Sequence, residues 1–433
     1  MSNSATQAVE PSAKLVRRKD WTIIGLIGIA HSSSHFYQLV LPTLYLSLAQ
    51  EYGYDFTQLG FLATVFFLVS CLGQASSGFV VDRIGPAPVL RFGLLGFVAS
   101  ALLIAISDSY ITLLAAALIG GVGNSIFHPV DYSIINHRVS PQRLGHAFSI
   151  HGLTGNLGWA LTPVFMATLI YWFNWRIAAL GAGLLVALVL FLTWLGRDLL
   201  SGRNQPMATS VESEPATVTA SVDLSQKSAW ATFITLINQP ALWGAFLFFA
   251  CTAAALSSVQ NYTIPMLDQV YGIDKVLAGT TLSAYMLCAA LGMFAGGFLV
   301  GANPNTERTV AVSLVLAGLL LLVLAAGMVP PSAAMVLVGF AGFCSGVASP
   351  SRDMLIRRVT PKGATGTVYG LVYSGMDVGS SAAPIGFGIL LDLGYSFAPW
   401  VGAAVAFVAA AGLALWVAYA AQQNRSSANI LTN

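Results

Sequence analysis

Charge is scarce in this sequence. Only 8% of its 433 residues are Asp, Glu, Lys or Arg, against about 25% in a soluble protein. Hydrophobic residues make up 56% of the chain, and so few charges cannot cover a water-facing surface of that size. The balance excludes an ordinary soluble enzyme and predicts a chain that is solvated by lipid.

Several chemical motifs are missing. The net charge is +2 and the cations are scattered, so no continuous basic face for nucleic acid is predicted. The sequence has no phosphate-binding G-x-x-x-x-G-K-[ST] loop, so ATP is not expected to drive the protein directly. No cofactor is expected. Neither a disulfide framework nor a zinc site is predicted, because no C-x-x-C spacing relates Cys71, Cys251, Cys288 and Cys344.

Long apolar runs are abundant instead. A helix of about 20 residues crosses the roughly 30 Å hydrocarbon core of a bilayer, and the sequence predicts twelve such spans. An all-α membrane protein with twelve transmembrane helices is therefore expected. The runs begin near Trp21, Thr57, Pro88, Tyr110, Leu144, Arg176, Ala241, Val276, Arg308, Ala333, Ala364 and Phe397.

Positive charge predicts the topology. If the N-terminus is cytoplasmic, most of the 19 Lys and Arg residues fall on the cytoplasmic side, as the positive-inside rule requires. Arg176 and Lys275 fall outside, and Arg352 lies within a span. We therefore expect a multi-pass protein of the cytoplasmic membrane with both termini in the cytoplasm.

A polar segment divides the spans into two groups of six. The stretch at 198–240 contains many Ser, Thr, Pro and Glu residues, a composition typical of a linker. It separates a predicted bundle at 21–197 from a second bundle at 241–421. Cytoplasmic tails are expected at 1–20 and 422–433.

Glycine and proline recur between the two halves at nearly constant offsets. These residues mark close helix approach and helix bending, so their recurrence predicts two pseudo-symmetric six-helix bundles. The pairs include Gly60 with Gly279, Gly73 with Gly292, Gly158 with Gly379, and Pro163 with Pro384.

The connection after the second span carries a recognisable motif. Gly78, Asp82, Arg83 and Gly85 match the G-x-x-x-D-R-x-G signature of the major facilitator superfamily, which nearly the whole chain resembles. The resemblance implies the major facilitator fold, in which two bundles rock about a site at their interface. It also implies that Asp82 and Arg83 form a cytoplasmic gate, with a passive topology anchor as the alternative.

Within that superfamily the chain resembles the fosmidomycin-resistance group of efflux proteins, and this resemblance implies export. Three stretches carry it: His31-x-x-x-His35 before Pro42, Phe127-His128-Pro129, and Gly155-Asn156-x-Gly158 before Pro163.

Polar side chains in the first span share one helical face. Such groups cost several kcal/mol in hydrocarbon unless they face protein or water. His31, Ser34, His35 and Gln38 lie at spacings of three and four residues. His31, His35 and Gln38 are predicted to contact substrate, and His35 is also a candidate for proton transfer, since imidazole titrates near neutral pH. Interhelical hydrogen bonding alone is the alternative.

The fourth span has a similar face. Asn124, His128 and Asp131 share it, and Asn124 and His128 are predicted to contact substrate. The repeat relates Asp131 to Arg352 in the tenth span. We expect these two to form an inner-gate salt bridge in the outward-facing state, with Asp353 as a competing partner; a permanent ion pair is the alternative.

Asp377 lies in the middle of the eleventh span and is the deepest carboxyl by sequence position. Burial favours a neutral carboxyl, so Asp377 is predicted to load and release a proton; a structural Asp is the alternative. Its counterpart in the fifth span is Asn156. Asn156 and Trp159 are predicted to contact substrate, and packing is equally compatible with both.

The remaining candidates are Gln260 and Asn261 in the seventh span, where the same spacing argument predicts substrate contacts. The six histidines all lie in the first half of the chain. Only His31 and His35 have ligand-like spacing, so no metal site is predicted.

These features predict a proton-coupled secondary active transporter that moves a small polar or anionic solute by alternating access, with efflux favoured. Uptake symport of an organic acid or metal chelate is the alternative within this class. A non-transporting membrane receptor or enzyme is the alternative of another class, although no convincing nucleophile and base set occurs. The expected partners are a small solute, protons and the bilayer, without nucleic acid, and the protein is expected to be a monomer.

Overall fold

The structure, a computed structural model, describes residues 13–201, 239–302, 305–359 and 365–432. The regular structure of these ranges is helical. The helices are α1 (Ala13–Gln38), α2 (Val40–Tyr52), α3 (Phe56–Ile84), α4 (Pro86–Ala105), α5 (Tyr110–Asn124), α6 (Phe127–Arg138), α7 (Leu144–Trp172), α8 (Trp175–Leu195), α9 (Arg197–Leu200), α10 (Pro240–Tyr271), α11 (Lys275–Ala302), α12 (Thr306–Ala325), α13 (Pro331–Val359), α14 (Thr365–Asp392) and α15 (Ala398–Thr432).

Local sequence signals set many of the helix ends. Asp55 caps α3 and forms a reciprocal capping box with Gln58, which satisfies donors that a helix N-terminus leaves open. The Ser109 side chain caps α5 by accepting from the backbone N–H of Thr112. Gly53 follows α2 with φ +70°, a left-handed conformation that glycine adopts without a Cβ penalty.

Two predicted spans are each broken into two helices, and proline explains both breaks. Pro42 in α2 has no N–H to donate to the Gln38 carbonyl, and α1 ends at Gln38. Pro129 in α6 likewise cannot donate to the carbonyl of Ser125, the residue that directly follows α5. An interior proline removes one helical hydrogen bond and crowds the preceding turn. Both breaks leave a partly buried polar side chain, Gln38 or Asn124, at a helix end.

Ten helical segments of the described chain are long and apolar enough to cross a membrane. The protein is therefore a multi-pass membrane protein. The predicted spans that begin near Trp21 and Ala364 are not among these ten. Most of the predicted linker at 198–240 and part of both tails lie outside the described residues.

The helices form two contacting groups. Helices α1 to α9 pack chiefly on one another, as do α10 to α15. The groups, called here the N-terminal and C-terminal halves, are joined mainly by α3 against α14 and by α7 against α11.

Equivalent glycines make equivalent contacts in the two halves. A Cβ on Gly158 of α7 would lie under 3.0 Å from the Ser32 carbonyl oxygen of α1. A Cβ on Gly379 of α14 would lie equally close to the Ala250 carbonyl oxygen of α10. Small residues allow such close backbone approach between membrane helices, so the glycine repeat corresponds to a repeated packing contact.

Ion pairs lie near both ends of the N-terminal half. Near the start of α1, buried Asp20 accepts from Arg143 at 2.7 Å; this end is called the terminal face. At the other end Glu51 pairs with Arg176 at 2.6 Å, and this end is called the opposite face. Arg176 also donates to Tyr52 and to the Ser107 carbonyl.

Several hydrogen bonds join the two halves toward the opposite face. The Asp392 carboxylate of α14 accepts from the backbone N–H groups of Phe56 and Thr57 at 2.9 and 2.6 Å. Tyr45 of α2 donates to Asn261 of α10 at 2.9 Å. These contacts hold the opposite face closed between the halves.

Candidate functional site

Asp131 stands at the centre of a buried polar cluster in the N-terminal half. Its side chain is 0% exposed. The Oδ2 atom lies 3.0 Å from His31 Nδ1 and 3.1 Å from His151 Nε2. Three helices, α1, α6 and α7, therefore meet at one carboxylate oxygen. Within the described residues, the Oδ1 atom of Asp131 has no hydrogen-bond partner.

Two further histidines lie beside His31. The rings of His31 and His151 stack with centroids 3.6 Å apart. His35 lies 4.5 Å from His31 by ring centroid, and His128 lies 5.5 Å from it. We call the set Asp131, His31, His35, His128 and His151 the Asp131 cluster.

A chain of hydrogen bonds leads away from this cluster. Trp159, whose ring centroid lies 4.2 Å from that of His35, donates Nε1–H to Gln38 Oε1 at 2.9 Å. Gln38 donates to Asn124 Oδ1 at 3.3 Å, and Ser34 donates to the same oxygen at 2.9 Å. Asn124 in turn donates to a serine hydroxyl of α3. These bonds connect helices α1, α3, α5 and α7. We call the set Ser34, Gln38, Ser70, Asn124 and Trp159 the polar network.

Local sequence explains why α1 and α7 approach so closely at this site. A Cβ on Gly155 would lie 3.0 Å from His31 Nε2 and 3.0 Å from His35 Cε1. Gly158, one turn later, lies against the α1 backbone. The Gly155 and Gly158 face of α7 therefore leaves room for both imidazoles.

The sequence argument about metal ligands compared only histidines that are close together along the chain. The structure places His128 and His151, which are distant in sequence, beside His31, with one ring nitrogen of each within 4.8 Å of the others. His151 was also missed as a site residue. Its signal was its position four residues before Gly155, on the face of α7 that packs against α1.

The C-terminal half contributes Gln260 and Asn261 on α10. Both are buried. Asn261 donates to the Ser257 carbonyl at 2.8 Å and accepts from Tyr45, so its amide links the two halves. Gln260 Nε2 has no hydrogen-bond partner among the residues that the structure describes.

The predicted gate residues occupy separate environments in this conformation. The guanidinium carbon of Arg352 lies 5.1 Å from the ring centroid of Phe249 on α10, while Asp131 bonds to two histidines. Arg83 is exposed near the end of α3. The side chains of Asp82 and Asp353 lie outside the described part of the structure.

Burial separates the carboxyls differently from the order expected from sequence. Asp131 is fully buried, whereas Asp377 retains partial exposure. The Asp377 side chain of α14 interacts with the Cys71 thiol of α3, and so lies where the halves meet. Asn156 donates to the Gly152 carbonyl of its own helix at 3.0 Å and contacts Met293 of α11, apart from the polar network.

The arrangement concentrates neutral donors and acceptors inside an apolar helix assembly. Imidazole, amide and indole groups can hydrogen-bond a polar solute without carrying a fixed charge. Buried groups without a partner are costly, and within the described part of the chain such groups are found on both halves, at His35 Nδ1 and Gln260 Nε2. Polar groups of this kind inside a membrane protein are typical of solute or proton pathways.

Comparison with protein families identifies the superfamily of the chain. The model of the Major Facilitator Superfamily matches residues 26–384 and 251–430. The chain belongs to this superfamily.

Two curated relatives illustrate the similarity. The chain is 27% identical over 288 residues to the fosmidomycin resistance protein of Escherichia coli, which covers 65% of each chain. It therefore spans just under two thirds of the length of that relative. It is 22% identical over 414 residues to a probable L-galactonate transporter of Escherichia coli, covering 92% of this chain and 89% of that one.

Solved structures share the fold. A POT family transporter in complex with 5-aminolevulinic acid superposes with a TM-score of 0.74 at 13% identity, covering 93% of this chain and 96% of that chain. At this identity the likeness concerns the fold alone. The predicted superfamily is confirmed, as is the likeness to the fosmidomycin-resistance group.

Proposed function

We propose that this protein is a proton-coupled secondary active transporter that moves a small polar or anionic solute across the cytoplasmic membrane by alternating access, with export as the favoured direction. The observation that carries the proposal is the polar network and adjacent Asp131 cluster within the N-terminal half. Groups of this kind inside a membrane protein mark solute or proton pathways.

The solute site is assigned to side chains from both halves. His31, His35, Gln38, Asn124, His128 and Trp159 supply the N-terminal surface, and Gln260 and Asn261 supply the C-terminal one. Asn156 is placed at the edge, because it contacts α11. Trp159 offers a flat apolar face beside its donor, which suits a solute with both polar and apolar parts. Arg352 supplies a cation for an anionic group.

Coupling is assigned to Asp377 and His35. Asp377 lies on α14 and its side chain faces Cys71 of α3 in the other half, so rocking of the halves changes its surroundings. A carboxyl that moves between apolar and wet surroundings binds and releases a proton. This exchange couples the conformational change to the proton gradient.

We further propose a membrane topology of twelve spans. Helices α1 and α2 form the first span, α5 and α6 the fourth, and α14 the eleventh, which gives twelve spans. They form a six-helix bundle at 21–197 and another at 241–421, joined by a linker at 198–240. The terminal face and the tails at 1–20 and 422–433 are cytoplasmic, and the transporter acts as a monomer. Reporter fusions to the loop at residues 53–55 and to the C-terminus test this arrangement.

The inner gate lies at the terminal face. When that face closes, Asp131 pairs with Arg352, while Asp82, Arg83 and Asp353 stabilise the closed arrangement. Asp131→Arg and Arg352→Asp should each abolish transport, and the double reversal should restore it in part. Absence of rescue, with all three proteins folded, would rule out the pairing.

Proteoliposomes with an imposed pH gradient test the function. Solute-dependent proton flux across a panel of polar and anionic solutes is expected. Gln38→Ala should weaken it, whereas Thr168→Val on the exposed side of α7 should not, since Thr168 bonds only to its own helix among the contacts described. If no solute of the panel produces proton flux, the result would favour a non-transporting receptor.

Uptake symport of an organic acid or metal chelate is the second candidate. The similarity to the probable L-galactonate transporter supports an organic acid as the solute, because that match extends over nearly the whole chain. Reversing the imposed pH gradient distinguishes the two directions: an exporter accumulates solute when the lumen is acidic, and a symporter when the outside is acidic.

A further inference from the structure

The Asp131 cluster has the composition of a transition-metal site. Three histidines, His31, His128 and His151, each place one ring nitrogen within 4.8 Å of the others. The Asp131 carboxylate lies within hydrogen-bond distance of two of them. We propose that these four residues bind one divalent transition-metal ion such as Zn²⁺ or Co²⁺. This inference goes beyond the proposed function: while the ion is bound, Asp131, His31 and His128 are its ligands and are not available to Arg352 or to the solute.

The spacing of the ligand atoms fits such an ion. Four ligands at about 2.0–2.1 Å around a tetrahedral centre lie about 3.4 Å from one another. The two separations from Asp131 Oδ2, 3.0 and 3.1 Å, are close to this value. The three nitrogens, which lie within 4.8 Å of one another, must approach by up to about 1.4 Å to reach this separation, and rotation of the imidazoles about their side-chain torsions allows such a shift.

An unpaired oxygen gives independent support. A purely hydrogen-bonded cluster satisfies Asp131 Oδ2, but it leaves Oδ1 buried and without a partner in the described ranges. A buried carboxylate normally has all of its lone pairs engaged or coordinates a metal. A metal ion that takes the carboxylate would satisfy this oxygen as well.

Ligand chemistry narrows the ion. Imidazole nitrogen favours zinc, copper, iron and nickel, while calcium and magnesium require sets of oxygen ligands. Three neutral histidines and one carboxylate give the ligand set a net charge of −1. A bound divalent cation therefore leaves the buried site with a net charge of only +1. His128 is more exposed than His31 and His151, which provides the side from which an ion enters.

Cobalt titration of the purified full-length protein tests the site. We expect visible d–d absorption from four-coordinate Co²⁺ that saturates near one equivalent and disappears on addition of Zn²⁺. Asp131→Asn and His128→Gln should each weaken Co²⁺ binding at least tenfold. His137→Gln and His146→Gln are matched controls, because these exposed histidines lie outside the set, and they should leave the spectrum unchanged.

His128→Gln keeps the test decisive if Asp131→Asn does not fold, since His128 has no hydrogen bond to Asp131 among those described. Size-exclusion chromatography and thermal unfolding establish folding of each variant. A wild-type protein without d–d bands, or bands that neither variant changes, would overturn the proposal. The measurement needs no gradient or solute, so its failure is distinct from failure of the transport proposal.

Discussion

Gly60 of α3 lies against Pro384 of α14, so close that a Cβ on Gly60 would come within 3.0 Å of the Pro384 carbonyl oxygen. An equivalent contact forms between Gly279 and Pro163, the residues that the sequence repeat pairs with Gly60 and Pro384. A Cβ on Gly279 of α11 would lie 3.2 Å from the carbonyl oxygen of Pro163 in α7. The same pair of positions therefore lies at both of the main helix contacts between the halves, α3 with α14 and α7 with α11, as an internal two-fold relationship requires.

Gly60→Ala should destabilise the arrangement closed at the opposite face. The added methyl meets backbone that cannot move aside, and such overpacking costs about 1–3 kcal/mol. A cysteine placed at Asn261 should become more reactive toward a water-soluble maleimide in this background. Gly386→Ala, on the same helix as Pro384 and with open space around it, should leave labelling unchanged. Equal labelling in both variants would contradict the role of this contact.

Asp392→Asn should loosen the same face by a different route. The carboxylate accepts from two backbone N–H groups at the start of α3, where an anion also interacts favourably with the helix dipole. Loss of such a cap costs about 1 kcal/mol. The maleimide assay should therefore show increased labelling at position 261. Asp108→Asn, exposed in the loop after α4, is the control, and an identical response from both substitutions would count against the cap.

Trp159→Phe should raise the KM for the solute about fivefold. The substitution keeps a ring beside His35 but removes the donor to Gln38, and one net hydrogen bond contributes about 1 kcal/mol. Trp159→Ala should have the larger effect, because it also removes the flat face. Trp194→Phe, partly exposed at the end of α8, should leave KM unchanged. An unchanged KM in Trp159→Phe would place the network outside the solute path.

Asp377→Asn should abolish accumulation driven by a pH gradient while leaving solute exchange across the membrane intact. The amide cannot bind and release a proton, but it keeps nearly the same size beside Cys71. Counterflow and gradient-driven uptake in the same proteoliposomes separate the two activities. Asp198→Asn, whose carboxylate is 92% exposed, serves as the control. Full accumulation by Asp377→Asn would remove this residue from the coupling step.

Gly158→Ala should lower the thermal stability of the N-terminal half. The new methyl would meet the Ser32 carbonyl oxygen of α1, and we expect a loss of about 1–3 kcal/mol. Gly152→Ala is a matched control on the same helix, since nothing lies within 4 Å of that position. Thermal unfolding of the purified variants provides the comparison, and equal midpoints would show that α1 and α7 can separate without cost.

Much of the fold could be predicted because it depends on local properties of the chain. The scarcity of charge required lipid as the solvent, and apolar runs located the helices. Pro42 and Pro129 account for the two broken helices by removing specific N–H donors. The glycine pairs indicated where helices approach, since a missing side chain allows close backbone contact in either half.

Only the tertiary structure decided which polar side chains meet. Helical spacing placed His31 and Asp131 on polar faces of their own helices. The relative orientation of α1, α6 and α7 in the packed structure then places His151 at the same carboxylate. Asp392 acquired its role in the same way, because the start of α3 is distant in sequence from the end of α14. A sequence determines the face of each helix by periodicity, whereas the partner of that face depends on how all the helices pack together.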